Sequence, residues 1–226
     1  MRPDITQATR DAESLKAEGR LDDAIAMHRE IVAAYPQSRV ARHNLACALG
    51  DAGYWADAEP IISAVINAGL DAPETWLVLA RAQQAMGRLH TSEQSYLQVL
   101  RRTQSTQAHR ELVQLRWMQG QSITEACRDL DAGIAAAPQA AALVATKAQV
   151  LMEVGAYALA LALIAPLAHA WPNASDVAVV AAQAALGAGE AAEATAYATR
   201  AVALAPNTPA AHVSLIEALL NQRLFS

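Results

Sequence analysis

Cysteine occurs only twice in the 226 residues, at Cys47 and Cys127, too sparsely for the disulfide framework that staples small secreted domains. Both are read as core thiols. No stretch alternates apolar and polar residues with a period of two, which removes half-buried β-strands. Lysine and arginine total 17 against 22 acidic residues, and no stripe of basic and aromatic side chains offsets the net charge of −5, so nucleic acid is excluded as an expected partner. The six histidines, His28, His43, His90, His109, His169 and His212, are scattered, and no second histidine stands at metal-ligand spacing on one helical face to build a site with any of them. His28 and Glu30 do not make a pair, since side chains two apart on a helix point away from each other. A phosphate-cradling glycine loop, a serine elbow and a paired CxxC are all missing. No catalytic residue, metal ligand or cofactor is therefore assigned.

The opening residues, MRPDITQATRDAESLKAEG, carry charges throughout and lack the apolar centre of a secretory signal, so a cytoplasmic chain is expected. Residues 154–171 are uncharged and near the length of a membrane span. They also contain Gly155 and Pro166 and keep the repeat positions described next, so this segment is read as a buried hairpin and no membrane partner is expected.

What the chain does contain is a period. Gly19, Gly53, Gly87, Gly155 and Gly189 stand on one lattice of 34 residues, with Gly120 one residue short of the missing point. A small-residue column, Ala24, Ala58, Ser92, Ala126, Ala160 and Ala194, has the same spacing, as does a third column of Pro36, Leu70, Gln104, Pro138, Pro172 and Pro206. Three columns of different chemistry on one period define internal repeats, which take precedence over any local motif. The small column marks where two helices of a hairpin cross closely. The glycines end first helices, where positive φ costs nothing without a Cβ, and the prolines lie past second helices. The residues that follow them, Gln37, Asp71, Ser105, Gln139, Asn173 and Asn207, include four that can cap the next helix. Between these marks the apolar spacing is helical, as in Leu45, Ala46 and Leu49 and then Ala58, Ile62 and Val65. Pro60 and Pro166 fall inside second helices, where kinks are expected. The fourth unit carries Gln114 in place of a small residue and has its glycine displaced to Gly120, leaving its register open by one residue.

These residues resemble the tetratricopeptide repeats, whose signature is a helix-turn-helix unit of about 34 residues with small, aromatic and proline positions. Trp76, Leu79 and Ala80 followed by Tyr96 match that signature in the third unit, and Ala160, Ile164 and Pro172 match it in the fifth. The resemblance implies an all-α, right-handed α-solenoid occupying residues 1–226 as a single domain. Six full repeats begin near Ile5, Arg39, Pro73, Gln107, Ala141 and Ser175, and a partial seventh begins at Pro209. It also implies a function, because first helices in this family line a concave groove that holds extended peptides or partner helices. The chain is accordingly expected to be a non-enzymatic protein- or peptide-binding scaffold.

Counting from Ile5, one inward column contains Glu13, Cys47, Arg81, Leu115, Gln149, Gln183 and Glu217, with His43, Asn44, Gln84, Glu111, Thr146, Met152, Asp176 and Val180 at neighbouring inward positions. The expected ligand groove is His43, Asn44, Arg81, Gln84, Glu111, Gln149, Gln183 and Glu217. Arg81 is the sharpest member, since a guanidinium holds a carboxylate or a carbonyl with two donors at once; its rival role is a salt bridge to Glu74 or Glu111. Gln149 and Gln183 stand one unit apart and could grip successive amides of an extended ligand. The clamp by which some members hold the acidic tails of chaperones is excluded. Asn44 is the only asparagine at such a position, and its partner positions carry Thr9, Glu13, Glu74 and Val78, where a glutamate would repel the carboxylate.

The last helix, from about Ala210 to Leu220, bears Val213, Leu215, Ile216, Leu219 and Leu220, followed by Leu224 and Phe225. That is more apolar surface than one preceding hairpin covers, whereas terminal repeats normally turn a polar face outward. Three readings compete: further repeats or a catalytic domain beyond residue 226, a helix that caps the stack alone, or a homodimer through this C-terminal helix. The first is preferred. Its enzymatic form makes the chain a substrate-recruiting module of an Fe(II)/2-oxoglutarate oxygenase, a sulfotransferase or a glycosyltransferase.

Overall fold

The computed structural model describes residues 4–137 and 140–224; Pro138, Gln139 and Phe225 lie outside the described residues. Among those described there are fourteen helices and no strand. In chain order they are α1 (Ile5–Ala17), α2 (Leu21–Ala34), α3 (Arg39–Asp51), α4 (Trp55–Asn67), α5 (Pro73–Ala85), α6 (Leu89–Leu100) and α7 (Thr106–Met118), then α8 (Ile123–Ala126), α9 (Arg128–Ala136), α10 (Ala141–Glu153), α11 (Tyr157–Ala170), α12 (Ser175–Ala188), α13 (Ala191–Leu204) and α14 (Pro209–Leu224). The first helices of the repeats are α1, α3, α5, α7, α10, α12 and α14. Two compact units divide the chain, one ending at Ala108 and the other beginning at His109.

In the first unit, hairpins α1/α2, α3/α4 and α5/α6 pack in succession, and α3 also touches α5. Its core gathers Ile25, Leu45, Leu49, Ile62 and Leu79. Ala24, Ala58 and Ser92 are buried at the hairpin crossings opposite the equally buried Ala12, Ala46 and Ala80. Ser92 is polar, yet it meets the rule that a buried hydroxyl must be satisfied: its Oγ donates to the Ala80 carbonyl at 2.8 Å across the hairpin. Gly53 shows why the glycine lattice exists. It ends α3 at φ 81°, the Tyr54 N–H reaches back to the Leu49 carbonyl at 2.8 Å, and the Gly53 N–H bonds the Gly50 carbonyl. This double closure of a helix end needs a residue in the left-handed region.

In the second unit α10 packs on α9, α11 and α12, while α12 packs on α11, α13 and α14. Two core clusters serve it, one around Val113, Leu130, Leu143 and Val150 and the other around Leu151, Ile164, Val180 and Tyr197. The open register of the fourth repeat is resolved here. Elsewhere the small residue of the second helix lies 12 positions after its buried partner on the first, as in Ala46 and Ala58 or Ala148 and Ala160; in the fourth repeat the pair is Val113 and Ala126, 13 apart. Helix α7 thus begins at Thr106 instead of Gln107 and buries Ala108, Leu112, Val113, Leu115 and Arg116. Gln114 leaves the small column, and Leu115, expected to point inward, belongs to the core.

Other expectations shift with this register. Helix caps sit one residue later than the polar column: Asp4 accepts from the Thr6 N–H and Ser38 from the Ala41 N–H. Asp71 and Asn173 do not cap, because α5 and α12 start after Ala72 and Ala174 without a side-chain bond. Ser105 does cap, accepting from the Ala108 N–H at 3.1 Å, since the early start of α7 brings it into the capping place. Helices α4 and α11 run uninterrupted through Pro60 and Pro166. Both prolines are exposed, as are Ala56 and Ala162 four residues earlier, so the carbonyls that lose a donor face water. The break falls instead at Cys127, between α8 and α9, where there is no proline. Among the described residues no helix is long and apolar enough to cross a membrane. Helix α11 buries Ala160, Ile164 and Ala168 on one side and leaves Leu159 60% exposed on the other.

Candidate interaction surface

In the first unit α1, α3 and α5 place polar side chains next to one another in a row. Lys16 of α1 lies 3.2 Å from Glu13 on its own helix and 3.0 Å from Asp51 of α3, joining two repeats. His43 of α3 contacts the Cys47 sulfur through Nε2 at 3.4 Å and Thr75 Oγ1 of α5 through Nδ1 at 3.4 Å. Cys47 follows His43 by one helical turn, a spacing that brings i and i+4 together and was readable in the sequence. Burial holds the His43 imidazole below its ordinary pKa against the opposing charge of Glu74, so the ring is neutral at pH 7. Burial, reinforced by Asp51, pushes the Cys47 thiol up to about 11. A protonated thiol beside a neutral imidazole is not an activated nucleophile, which requires a lowered thiol pKa.

The other expected members in this unit are Asn44, half-buried on α3, Arg81, half-buried on α5, and Gln84. Gln84 is committed to its own hairpin, its Oε1 accepting from the Tyr96 hydroxyl at 2.9 Å. In the second unit Gln149 and Gln183 are half-buried and Glu217 is exposed. Thr146 and Val180, expected to point inward, are core residues at 6% and 4% exposure. The corrected register adds a residue that sequence reasoning missed: Gln114 replaces Leu115 in the column of Gln149 and Gln183, giving three glutamines in register on α7, α10 and α12. Its Nε2 donates to Glu153 Oε2 at 2.8 Å, and Arg110 pairs with the same carboxylate. Glu111 is half-buried on α7 in the column that holds Asn44 in the first unit.

A buried ionic site was also missed. Arg116 is 1% exposed, with one guanidinium nitrogen 2.6 Å from Asp129 and 3.3 Å from the Ala126 carbonyl, to which it donates. His109 lies 4% exposed on the same helix with its pKa lowered by burial, against the pull of the Asp129 charge. The equivalent places in other repeats hold Leu15, Leu49, Gln83, Leu151, Ala185 and Leu219, all but Gln83 apolar, so the period predicts no charge where the arginine stands. Among the described residues, no group of histidine, cysteine and carboxylate side chains could hold a metal ion.

No family model and no curated protein matches the chain. Solved structures do. A tetratricopeptide repeat protein from Parabacteroides merdae is similar with a TM-score of 0.60 and 16% identity, over 95% of this chain and 84% of that one. The C-terminal part of a repeat-containing protein from Cytophaga hutchinsonii gives a TM-score of 0.60 and 16% identity, over 93% and 84% of the two chains. PilF of Pseudomonas aeruginosa gives 0.56 and 12%, over 96% of each. The fold is that of the tetratricopeptide repeats, an all-α solenoid of helix-turn-helix units.

Proposed function

We propose that the chain is a non-enzymatic scaffold that holds an extended segment of a partner protein against its first-helix surface. The observation that carries this reading is the glutamine column of the second unit, Gln114, Gln149 and Gln183. A glutamine amide offers both donors and an acceptor, which complements a peptide group. Neighbouring packed helices lie about 8–10 Å apart and an extended chain advances about 3.3 Å per residue, so successive glutamines meet about every third residue of a ligand. Arg81 on α5, one repeat after His43 and Asn44 on α3, plays the matching part in the first unit, where its guanidinium receives a carboxylate or carbonyl. The neutral His43 and protonated Cys47 add hydrogen-bonding capacity without nucleophilic chemistry.

The test uses the full chain as bait for a random-peptide phage library, followed by anisotropy titration of the selected peptides. Arg81→Glu is expected to weaken those peptides by about tenfold or more, as loss of a charged hydrogen bond does, and Gln149→Ala with Gln183→Ala, which removes two neutral ones, by about as much, with circular dichroism checking that each variant keeps its helices. Peptides that bind all variants equally overturn the reading.

A second reading rests on α14. Val213, Ile216, Leu219 and Leu220 are 51%, 58%, 44% and 55% exposed. Ile216 occupies the place at which Ala46, Ala80, Val113, Ala148 and Ala182 are buried in earlier repeats. Two copies of α14 packed antiparallel about Ile216 would set Val213 of one against Leu219 of the other, the self-matching arrangement a twofold interface requires. Light scattering is expected to give a dimer mass for the wild type and a monomer mass for Leu219→Glu with Leu220→Glu. A wild-type monomer sinks this reading and leaves the groove untouched.

A further inference from the structure

The fourth repeat is also irregular on its second-helix side. Its second helix breaks at Cys127 into α8 and α9, whereas α2, α4, α6, α11 and α13 are continuous. Beside the break lies a cavity of about 250 Å³ between α8/α9, α10 and α11. Ile123, Leu151, Leu159 and Leu163 form its apolar walls, with Leu159 exposed at the rim. One end is polar: Lys147 Nζ donates to Asp131 Oδ1 at 2.5 Å. Asp131 is the more open of the two, 43% exposed against 22%, and this bond uses only one of its oxygens.

We propose that this cavity is a second binding site, separate from the first-helix surface, which takes a tryptophan side chain from a partner protein. Size selects the ring system, since an apolar cavity of roughly 150 Å³ accommodates benzene and this one has room for the second ring of an indole. Charge selects the donor. Of the polar side chains that line the cavity, the Thr124 hydroxyl both donates and accepts, Lys147 already has its counter-charge, and the second Asp131 carboxylate oxygen accepts from an indole N–H. The surroundings favour a neutral partner: residues 154–175 contain no aspartate, glutamate, lysine or arginine, and the exposed Tyr157 and Trp171 belong to that stretch. An anionic lipid surface is disfavoured by Asp129 and Asp131 in the first turn of α9.

The experiment titrates the full chain with N-acetyltryptophanamide and follows amide chemical shifts. Saturable shifts at Ile123, Leu151 and Leu163 are expected, together with about tenfold or more weaker binding of the analogue methylated on the indole nitrogen, which cannot donate. Leu159→Trp, at an exposed position, fills the mouth without disturbing the fold and is expected to abolish the shifts; Asp131→Leu is expected to erase the preference between the two probes. No saturable shift in the wild type, unchanged shifts in Leu159→Trp, or equal affinity of the wild type for both probes overturns the assignment. None of these results depends on Arg81 or the glutamine column, so failure here is distinguishable from failure of the scaffold reading.

Discussion

Asp129→Ala is expected to destabilise the second unit by more than Arg116→Met does. The Arg116 guanidinium is 1% exposed and lies 2.6 Å from Asp129, whose side chain is 31% exposed. Removing one partner of a fully buried pair costs about 3–5 kcal/mol, because the other charge keeps its desolvation penalty. The two ends of this pair differ in how well water can compensate. With Asp129 truncated, the guanidinium remains in the core deprived of that counter-charge, and the cost is about 2–4 kcal/mol, the upper limit being lowered by the partial hydration of the original pair. With Arg116 replaced by methionine, the apolar stem is kept and the carboxylate turns to water, at a cost of about 1 kcal/mol. Replacing both should recover most of the Asp129→Ala loss. Urea midpoints by far-ultraviolet circular dichroism rank the four proteins. Hydrogen exchange of α7 and α9 locates the effect, since a stack of repeats need not unfold in one step. A double variant less stable than Asp129→Ala, or an Asp129→Ala protein as stable as the wild type, refutes the reasoning.

Gly187→Ala should lower the melting temperature even though alanine favours a helix by about 1 kcal/mol. The new Cβ would lie 2.1 Å from Cδ1 of Tyr157, and overpacking of this kind costs about 1–3 kcal/mol; adding Tyr157→Ala should restore the loss, and a Gly187→Ala protein as stable as the wild type would show that the ring moves freely. Acid should destabilise the chain before its carboxylates titrate. Burial lowers the pKa of His28, His43 and His109 below that of a free histidine, so the unfolded chain takes up protons first and the stability these rings contribute is complete above about pH 6.5 and declines below it. Melting temperatures at about pH 7.5 and about pH 5.5 check the sign, and equal values contradict it.

Much of the architecture was legible because spacing alone encodes it. The glycine lattice marks the helix ends, and the column from Ala24 to Ala194 marks the crossings, since both requirements are local and recur in every repeat. Where one residue changed the count, the period could not say which side absorbed it. Gln114 and Gly120 pointed to a shift in the fourth repeat, but only packing showed that α7 starts early, that Leu115 turns into the core and that Gln114 joins Gln149 and Gln183. Asp71 and Asn173 fail to cap for the same reason, as an error of one residue exchanges a capping side chain for its neighbour.

The chain by itself determined what repeats: two helices, a left-handed glycine between them and a close crossing, because backbone conformation and side-chain size act over a few residues. Tertiary structure decided what departs from the repeat. The burial of Arg116 against Asp129, the break at Cys127 with the cavity beside it and the pairing of His43 with Thr75 depend on residues from different helices meeting at a few ångströms, and no periodicity in one strand of sequence records such distances.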